Sequence, residues 1–150
     1  MIRQIEEFTS DIISLLSECI YKPSVDKMNN VIRLYESNEY RKLYGYYVSE
    51  RVSAVIGIKI NPAENSAVIL HVAVKQGARG KGIGRKLINE LLSSKSFTTF
   101  QAETDCDAVG FYKSCGFEAE SLGELYPGVE RFLCILRRVR NETLHGKAEC

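Results

Sequence analysis

No tryptophan, two histidines and three prolines stand in the 150 residues, and none of the five cysteines shares a Cys-x-x-Cys spacing. Zinc sites are built from clustered cysteine and histidine ligands, so no metal is expected. An odd, scattered set (Cys19, Cys106, Cys115, Cys134 and Cys150) also fails as a disulfide framework and points to free thiols in a reducing cytoplasm. An excess of one sign of charge is missing too. Lys and Arg number 20 against 19 Asp and Glu, a formal net charge of +1, so the whole molecule has no field to attract nucleic acid or an anionic membrane. Long apolar runs are absent. Glu6, Glu7 and Asp11 interrupt the N-terminal stretch, so neither a signal-peptide core nor a membrane span is expected. Asn141-Glu142-Thr143 has the form of a glycosylation acceptor and, without secretion, reads as chance.

What is present suits a cytoplasmic globular protein: 45% hydrophobic and 26% charged residues, in a length that fits one core. A single domain over residues 1–140 and a polar tail over 141–150 are expected. Residues 2–5 read as an opening strand. Thr9, Ser10 and Asp11 can cap a helix carrying Ile12, Leu15, Leu16 and Cys19, and Pro23-Ser24 opens a second with Val25, Met28, Val31, Ile32 and Tyr35 on one face. From Arg41 the period changes to two. Residues 43–48 and 52–60 make a hairpin around Ser49-Glu50-Arg51, and 67–74 follows a turn at Asn61-Pro62 as a third antiparallel strand. Residues 85–92 read as helix and 97–102 as strand. A helix capped by Asp105 or Asp107 runs through Ser114 and stops at Gly116. Strands over 117–121 and 131–138, joined by a loop through Tyr126-Pro127-Gly128, complete a mixed α+β sandwich.

Between the third strand and the following helix lies Gln76-Gly77-Ala78-Arg79-Gly80-Lys81-Gly82-Ile83-Gly84. Strand, glycine-rich turn and helix in that order cradle phosphate, because glycines let backbone N–H groups converge and the helix N-terminus adds positive potential. Three motifs compete for this run. A P-loop requires lysine where Ile83 stands, and fails. A dinucleotide fingerprint fits Gly80 and Gly82 but meets Arg85 at its sixth place, although Glu103, about 20 residues on, mimics its ribose-binding acid. The third motif fits without a gap: Arg79-Gly80-Lys81-Gly82-Ile83-Gly84 matches the Arg/Gln-x-x-Gly-x-Gly/Ala signature, after a Val72-Ala73-Val74 strand. About 25 residues downstream, Phe111-Tyr112-Lys113-Ser114-Cys115-Gly116-Phe117 matches a Phe-Tyr-x-x-x-Gly-Phe segment that closes a helix and opens a strand.

In both motifs, their order and their separation, the chain resembles the Gcn5-related N-acetyltransferase (GNAT) superfamily. The resemblance implies an α+β fold: a central, mostly antiparallel sheet of roughly six to seven strands with a splayed parallel pair, flanked by about four helices. It implies acetyl-coenzyme A as cosubstrate and no metal. The diphosphate would accept hydrogen bonds from the N–H groups of Gly80, Gly82, Ile83 and Gly84, with charge from Arg79 and Lys81, while Val72 and Val74 offer backbone groups to pantetheine. Asp105 would bond the cofactor or cap its helix. Tyr112 is the implied general acid for the departing thiolate. An amine of pKa about 10 must first lose a proton. Some relatives use a glutamate on the strand before the loop, where Val68-Ile69-Leu70 has none, so Glu103, His71 or a water chain is left as base. The first two helices and a loop over 122–131, with Tyr44, Tyr46, Tyr47, Glu124 and Glu130 as hints, would select the acceptor.

The resulting expectation is an acetyltransferase acting on a primary amine of a small molecule or peptide by direct attack. A coenzyme-A-binding sensor without catalysis is the alternative, and a dinucleotide-binding domain is a third. A homodimer, common among such proteins, is left open.

Overall fold

The computed structural model describes residues 1–138; residues 139–150, with the expected tail, Cys150 and the Asn141 sequon, lie outside them. The described chain runs β1 (Ile2–Gln4), α1 (Ser10–Ser17), α2 (Val25–Ser37), β2 (Arg41–Val48), β3 (Arg51–Asn61), β4 (Ser66–Val74), α3 (Ile83–Ser94), β5 (Thr99–Asp105), α4 (Val109–Ser114), β6 (Glu118–Tyr126) and β7 (Val129–Arg137). One seven-stranded sheet has the order β1-β2-β3-β4-β5-β7-β6. Every pairing is antiparallel except β4 with β5. Helices cover both faces, in agreement with the expected fold.

Local chemistry sets the elements. Thr9 and Ser24 accept hydrogen bonds from Ile12 N and Lys27 N and so cap α1 and α2. Ser49 and Glu50 both adopt positive φ (52° and 65°), giving the two-residue turn whose twist matches a hairpin. In α3, Gly84, Leu87, Ile88 and Leu91 are buried, the spacing of a single helical face. That face packs with Ile56, Ile58, Ile69, Phe100, Ala102, Tyr112 and Phe117 in one core. On the other side of the sheet, Ile12, Leu15, Leu16, Met28 and Tyr35 of α1 and α2 pack with Leu43, Val55 and Ala73.

The C-terminal end of α3 is held by one side chain. The Arg138 guanidinium donates to the carbonyls of Leu92, Lys95 and Phe97 and lies over the Phe100 ring, 5.4 Å from its centroid. A cation there complements the negative end of the helix and satisfies carbonyls left over by the last turn.

The expected loop over 122–131 proves to be strand. β6 and β7 pair from Glu118↔Ile135 out to Tyr126↔Val129, leaving only Pro127-Gly128 as a turn; the exposed, polar run of β6 has the composition of a loop and the pairing of a strand. The fifth strand starts two residues later and ends three later than its sequence pattern suggests. Its antiparallel partner β7 carries it to Asp105, a non-local effect that local composition does not report.

Candidate functional site: a glycine cradle beside a forked sheet

After β4 the chain makes one 3-10 turn, Gln76–Ala78, and reaches α3 through Arg79, Gly80, Lys81 and Gly82. Gly80 and Gly82 hold φ of +79° and +76°, where a Cβ is disfavoured. Gly82 is the N-cap of α3, no side chain caps that end, and its first turn carries no acid. Lys86 N donates to Gly82 O at 3.0 Å, which leaves the N–H groups of Ile83, Gly84 and Arg85 without an intrahelical acceptor. A cavity of about 220 Å³ opens at this point, bounded by the glycine-rich run on one side and by Arg85, Phe111 and Ser114 on the other. Its floor is tight: a Cβ on Gly84 would lie 3.0 Å from Phe111 Cε1 and 3.3 Å from Val74 Cγ2. Free N–H donors on a 12-residue helix, together with arginines, are the donor set that suits a diphosphate.

Arg79 has a more specific position than charge alone suggests. Its Nε donates to Val74 O at 2.9 Å and its Nη2 to Glu18 Oε1 at 2.8 Å, so it ties the end of β4 to the C-cap of α1 while still lining the cavity. Lys81 is exposed and does not line the cavity.

Beside the cradle the sheet forks. β4 and β5 pair only through Ser66↔Thr99, Ala67↔Phe100 and Val68↔Gln101. Beyond that point β4 runs on to Val74 against β3, and β5 to Asp105 against β7, with no rung between them. β4 is also irregular here. Gly57 stands opposite His71 and Ile58 opposite Ile69, so Leu70 is an extra residue that bends the strand and re-aims its last residues. Val72 and Val74 lie on the open arm of the fork. The Val72 N–H approaches the Cys19 thiol, which burial nevertheless pushes up to about 11.

The two faces of the fork carry different chemistry. On the α3/α4 face, the Tyr112 ring packs edge-on against Phe111 and Phe117, with centroids 5.3 and 5.5 Å away. Its hydroxyl has no protein partner among the described residues, yet the only buried unpartnered side-chain polar atom among them is Arg41 Nε. The ring is therefore core while its oxygen reaches solvent. Burial holds this phenol above its ordinary range, so it keeps its proton at neutral pH.

Glu103 lies on the other face. Phe100, Ala102 and Thr104 are buried and Glu103 is exposed, so strand alternation turns it toward the α1/α2 side, with no hydrogen-bond partner given to it by the described residues. His71 faces that side as well, where Tyr35 Oη meets its Nδ1 at 2.6 Å. Asp105 caps: its Oδ1 accepts from Asp107 N and Ala108 N at 3.0 and 3.1 Å.

Several sequence hints fall elsewhere. Tyr44 and Tyr46 pack in the α3-side core, and Tyr47 stacks under Arg3, 4.2 Å from its guanidinium carbon. Glu124 accepts from Gly128 N and Glu130 from Ser121 Oγ; both carboxylates brace the β6/β7 hairpin. Conversely, the sequence reading missed Arg85, Phe111 and Ser114 as cradle wall. Phe111 and Ser114 are spaced i, i+3, which puts them on one face of α4, and Arg85 sits in the first turn of α3; these were the available signals. Among the described residues no group of three or more His, Cys, Asp or Glu is placed to hold a metal, and no helix is long and apolar enough to cross a membrane.

The fold is shared with solved acetyltransferases. A Bacillus subtilis acetyltransferase solved in complex with CoA superposes with a TM-score of 0.72 at 18% identity, covering 92% of this chain and 98% of that one. A mutant spermidine N-acetyltransferase from Vibrio cholerae gives 0.75 at 16% identity, covering 98% and 99%. The Escherichia coli ribosomal-protein-S18-alanine N-acetyltransferase gives 0.70 at 15%, covering 91% and 92%. No curated protein sequence matches the chain. At these identities the likeness concerns the fold. The sequence itself matches the family model "Acetyltransferase (GNAT) domain" over residues 41–119, more than half its length, and the chain belongs to the GNAT acetyltransferase family.

Proposed function

We propose that the protein is an acetyl-coenzyme A-dependent N-acetyltransferase for a primary amine, borne by a small molecule or a peptide, working by direct attack in a ternary complex. The observation that carries this reading is the fork itself: an unfilled gap in the sheet, with a phosphate cradle at its mouth, a protonated phenol on one face and a free carboxylate on the other. The N–H groups of Ile83, Gly84 and Arg85, with those of Gly80 and Gly82, hold the diphosphate, and Arg79, Arg85 and Lys81 supply charge. Backbone groups of Val72 and Val74 on the open arm align the pantetheine as an added strand would. Asp105 serves the site indirectly, by fixing the start of α4 and hence Tyr112.

The amine approaches from the α1/α2 face. Glu103 accepts one proton of the ammonium group and the neutral nitrogen bonds to the thioester carbonyl carbon; the C–S bond breaks as Tyr112 delivers its proton to the leaving sulfur, and the second proton shed by the nitrogen returns through solvent to the Tyr112 oxygen. The products are an amide and a free thiol. Incubation with acetyl-coenzyme A and an amine panel, followed by thiol release, tests the activity. Turnover on at least one amine, falling by about a hundredfold in Tyr112→Phe, is the expected result. Tight coenzyme A binding with no turnover on any amine would sink it.

A further inference from the structure

Two groups on the acceptor face, Glu103 and His71, compete for the role of base, and the surroundings of His71 decide what it can do. Tyr35 of α2 reaches across β3 to meet His71 Nδ1 at 2.6 Å. This crossing exists because residue 57 is glycine: a Cβ there would stand 1.7 Å from Tyr35 Oη. Tyr35 is 8% exposed, and His71 is the only partner of its hydroxyl among the described residues. If Nδ1 carried the proton, the buried phenolic O–H would have no acceptor, a penalty that native structures avoid. The O–H therefore donates to Nδ1, and in the neutral ring the proton must reside on Nε2. The same accounting that frees the Tyr112 hydroxyl applies here: Nε2 lacks a protein partner and is not among the buried unpartnered atoms of the described residues, so it reaches solvent.

We infer that Tyr35 is a positioning residue that fixes His71 as a neutral Nε2–H donor on the acceptor face, so that His71 recognises a hydrogen-bond acceptor beside the substrate amine instead of removing its proton. Burial, helped by the nearby Arg41 guanidinium, lowers the imidazole to about 4, which keeps this donor neutral through the working range; the other groups around the pair are the Tyr35 phenol, itself raised by burial, and the Cys19 thiol. An amine with a carbonyl next to it, such as an amino-acid amide or a peptide N-terminus, can use such a donor. A polyamine, all donors, cannot. The substrate half of this inference rests on the transferase reading above; the tautomer does not.

The test starts from the free protein. Nitrogen-15 spectra of the imidazoles, with His71→Gln identifying the His71 signals, should show an unprotonated Nδ1 and a protonated Nε2 at pH 7. In Tyr35→Phe the two tautomers should mix. A protonated Nδ1 in the wild type overturns the inference outright. With coenzyme A bound, glycinamide should shift the Nε2 resonance while isobutylamine, its isostere without the carbonyl acceptor, should not. In turnover, the wild type should favour glycinamide over isobutylamine by about tenfold in kcat/KM, the worth of one hydrogen bond. Glutamine, whose amide NH2 lies near the Nε2 position, should keep most of that preference, and His71→Leu should lose it. Equal shifts by both amines, or a fall in kcat of a hundredfold or more on both amines in His71→Gln, would return His71 to the role of base. Absence of turnover on either amine would count against the transferase reading alone, since the spectra still score the tautomer and the contact.

Discussion

The two faces of the fork use different materials for recognition. On the α3/α4 face the cradle is made of backbone: consecutive N–H groups at the start of one helix, reached through glycines with positive φ. On the α1/α2 face the groups proposed to meet the acceptor are side chains of β4, β5 and α2, two of them joined by one hydrogen bond across a third strand. Backbone donors are bound to the geometry of the helix and change little with sequence once the glycines are in place. Side chains can be exchanged one at a time. Under the proposed function, a fold that binds one diphosphate and serves different amines gains from this division, because the acceptor face can change without disturbing the cradle.

Breaking one face at a time is the way to test the contrast. The largest effect is expected from the two groups proposed to handle protons. Tyr112→Phe and Glu103→Gln should each lower kcat by about a hundredfold or more, while calorimetry finds coenzyme A affinity nearly unchanged in both. A loss of coenzyme A binding in Glu103→Gln would mean that the faces are not separable. Next comes acidity. The His71 pKa is about 6.5 in the unfolded chain and is lowered to about 4 in the fold, so the neutral form stabilises the protein above pH 6.5. That contribution, no more than about 3 kcal/mol, should fade as the pH falls from 6.5 through about 4. Urea titrations should show a smaller decline in His71→Gln than in the wild type; identical slopes would remove His71 from the account.

Gly57→Ala should be destabilising by about 1–3 kcal/mol, since its methyl group occupies the place of the Tyr35 hydroxyl. Combined with Tyr35→Phe the penalty should shrink, and a double-mutant cycle that is additive instead would deny the contact. The smallest change is expected at the cradle rim. Arg85→Ala should weaken coenzyme A binding by about 1 kcal/mol, and by less as salt is added. An unchanged affinity at low salt would remove Arg85 from the diphosphate site.

The same division explains what could be read from the sequence. Arg79 through Gly84 is a contiguous run whose chemistry is local, and Phe111 to Phe117 is another, so the fold class was legible in the sequence and the glycine-rich turn and Tyr112 stood out there as candidates. Tyr35 and His71 stand 36 residues apart; their pairing depends on register between β3 and β4, on the extra residue Leu70 and on the absence of a Cβ at position 57. Nothing in the helical spacing of Tyr35 or the strand setting of His71 announces it. Glu124 and Glu130 erred in the other direction, looking free in a presumed loop while serving as braces in a long hairpin. The 122–131 loop failed because β6 is an edge strand, exposed along most of its length, and exposed strands lack the alternation that marks half-buried ones.

The fork has a consequence for the life of the empty protein. Beyond Val68 and Gln101 the inner sides of β4 and β5 are strand edges within a sheet. An edge at the rim of a sheet is open to pairing with a second chain and is a common seed of aggregation. Here each arm is already stiffened by its outer neighbour, β3 or β7, and the gap narrows to nothing at its closed end, so a whole strand from another molecule cannot lie along both arms. A slender, flexible ligand can. The opening thus works as a filter on the shape of whatever completes the sheet, and filling it should slow local opening and proteolysis of β4 and β5 in proportion to ligand concentration.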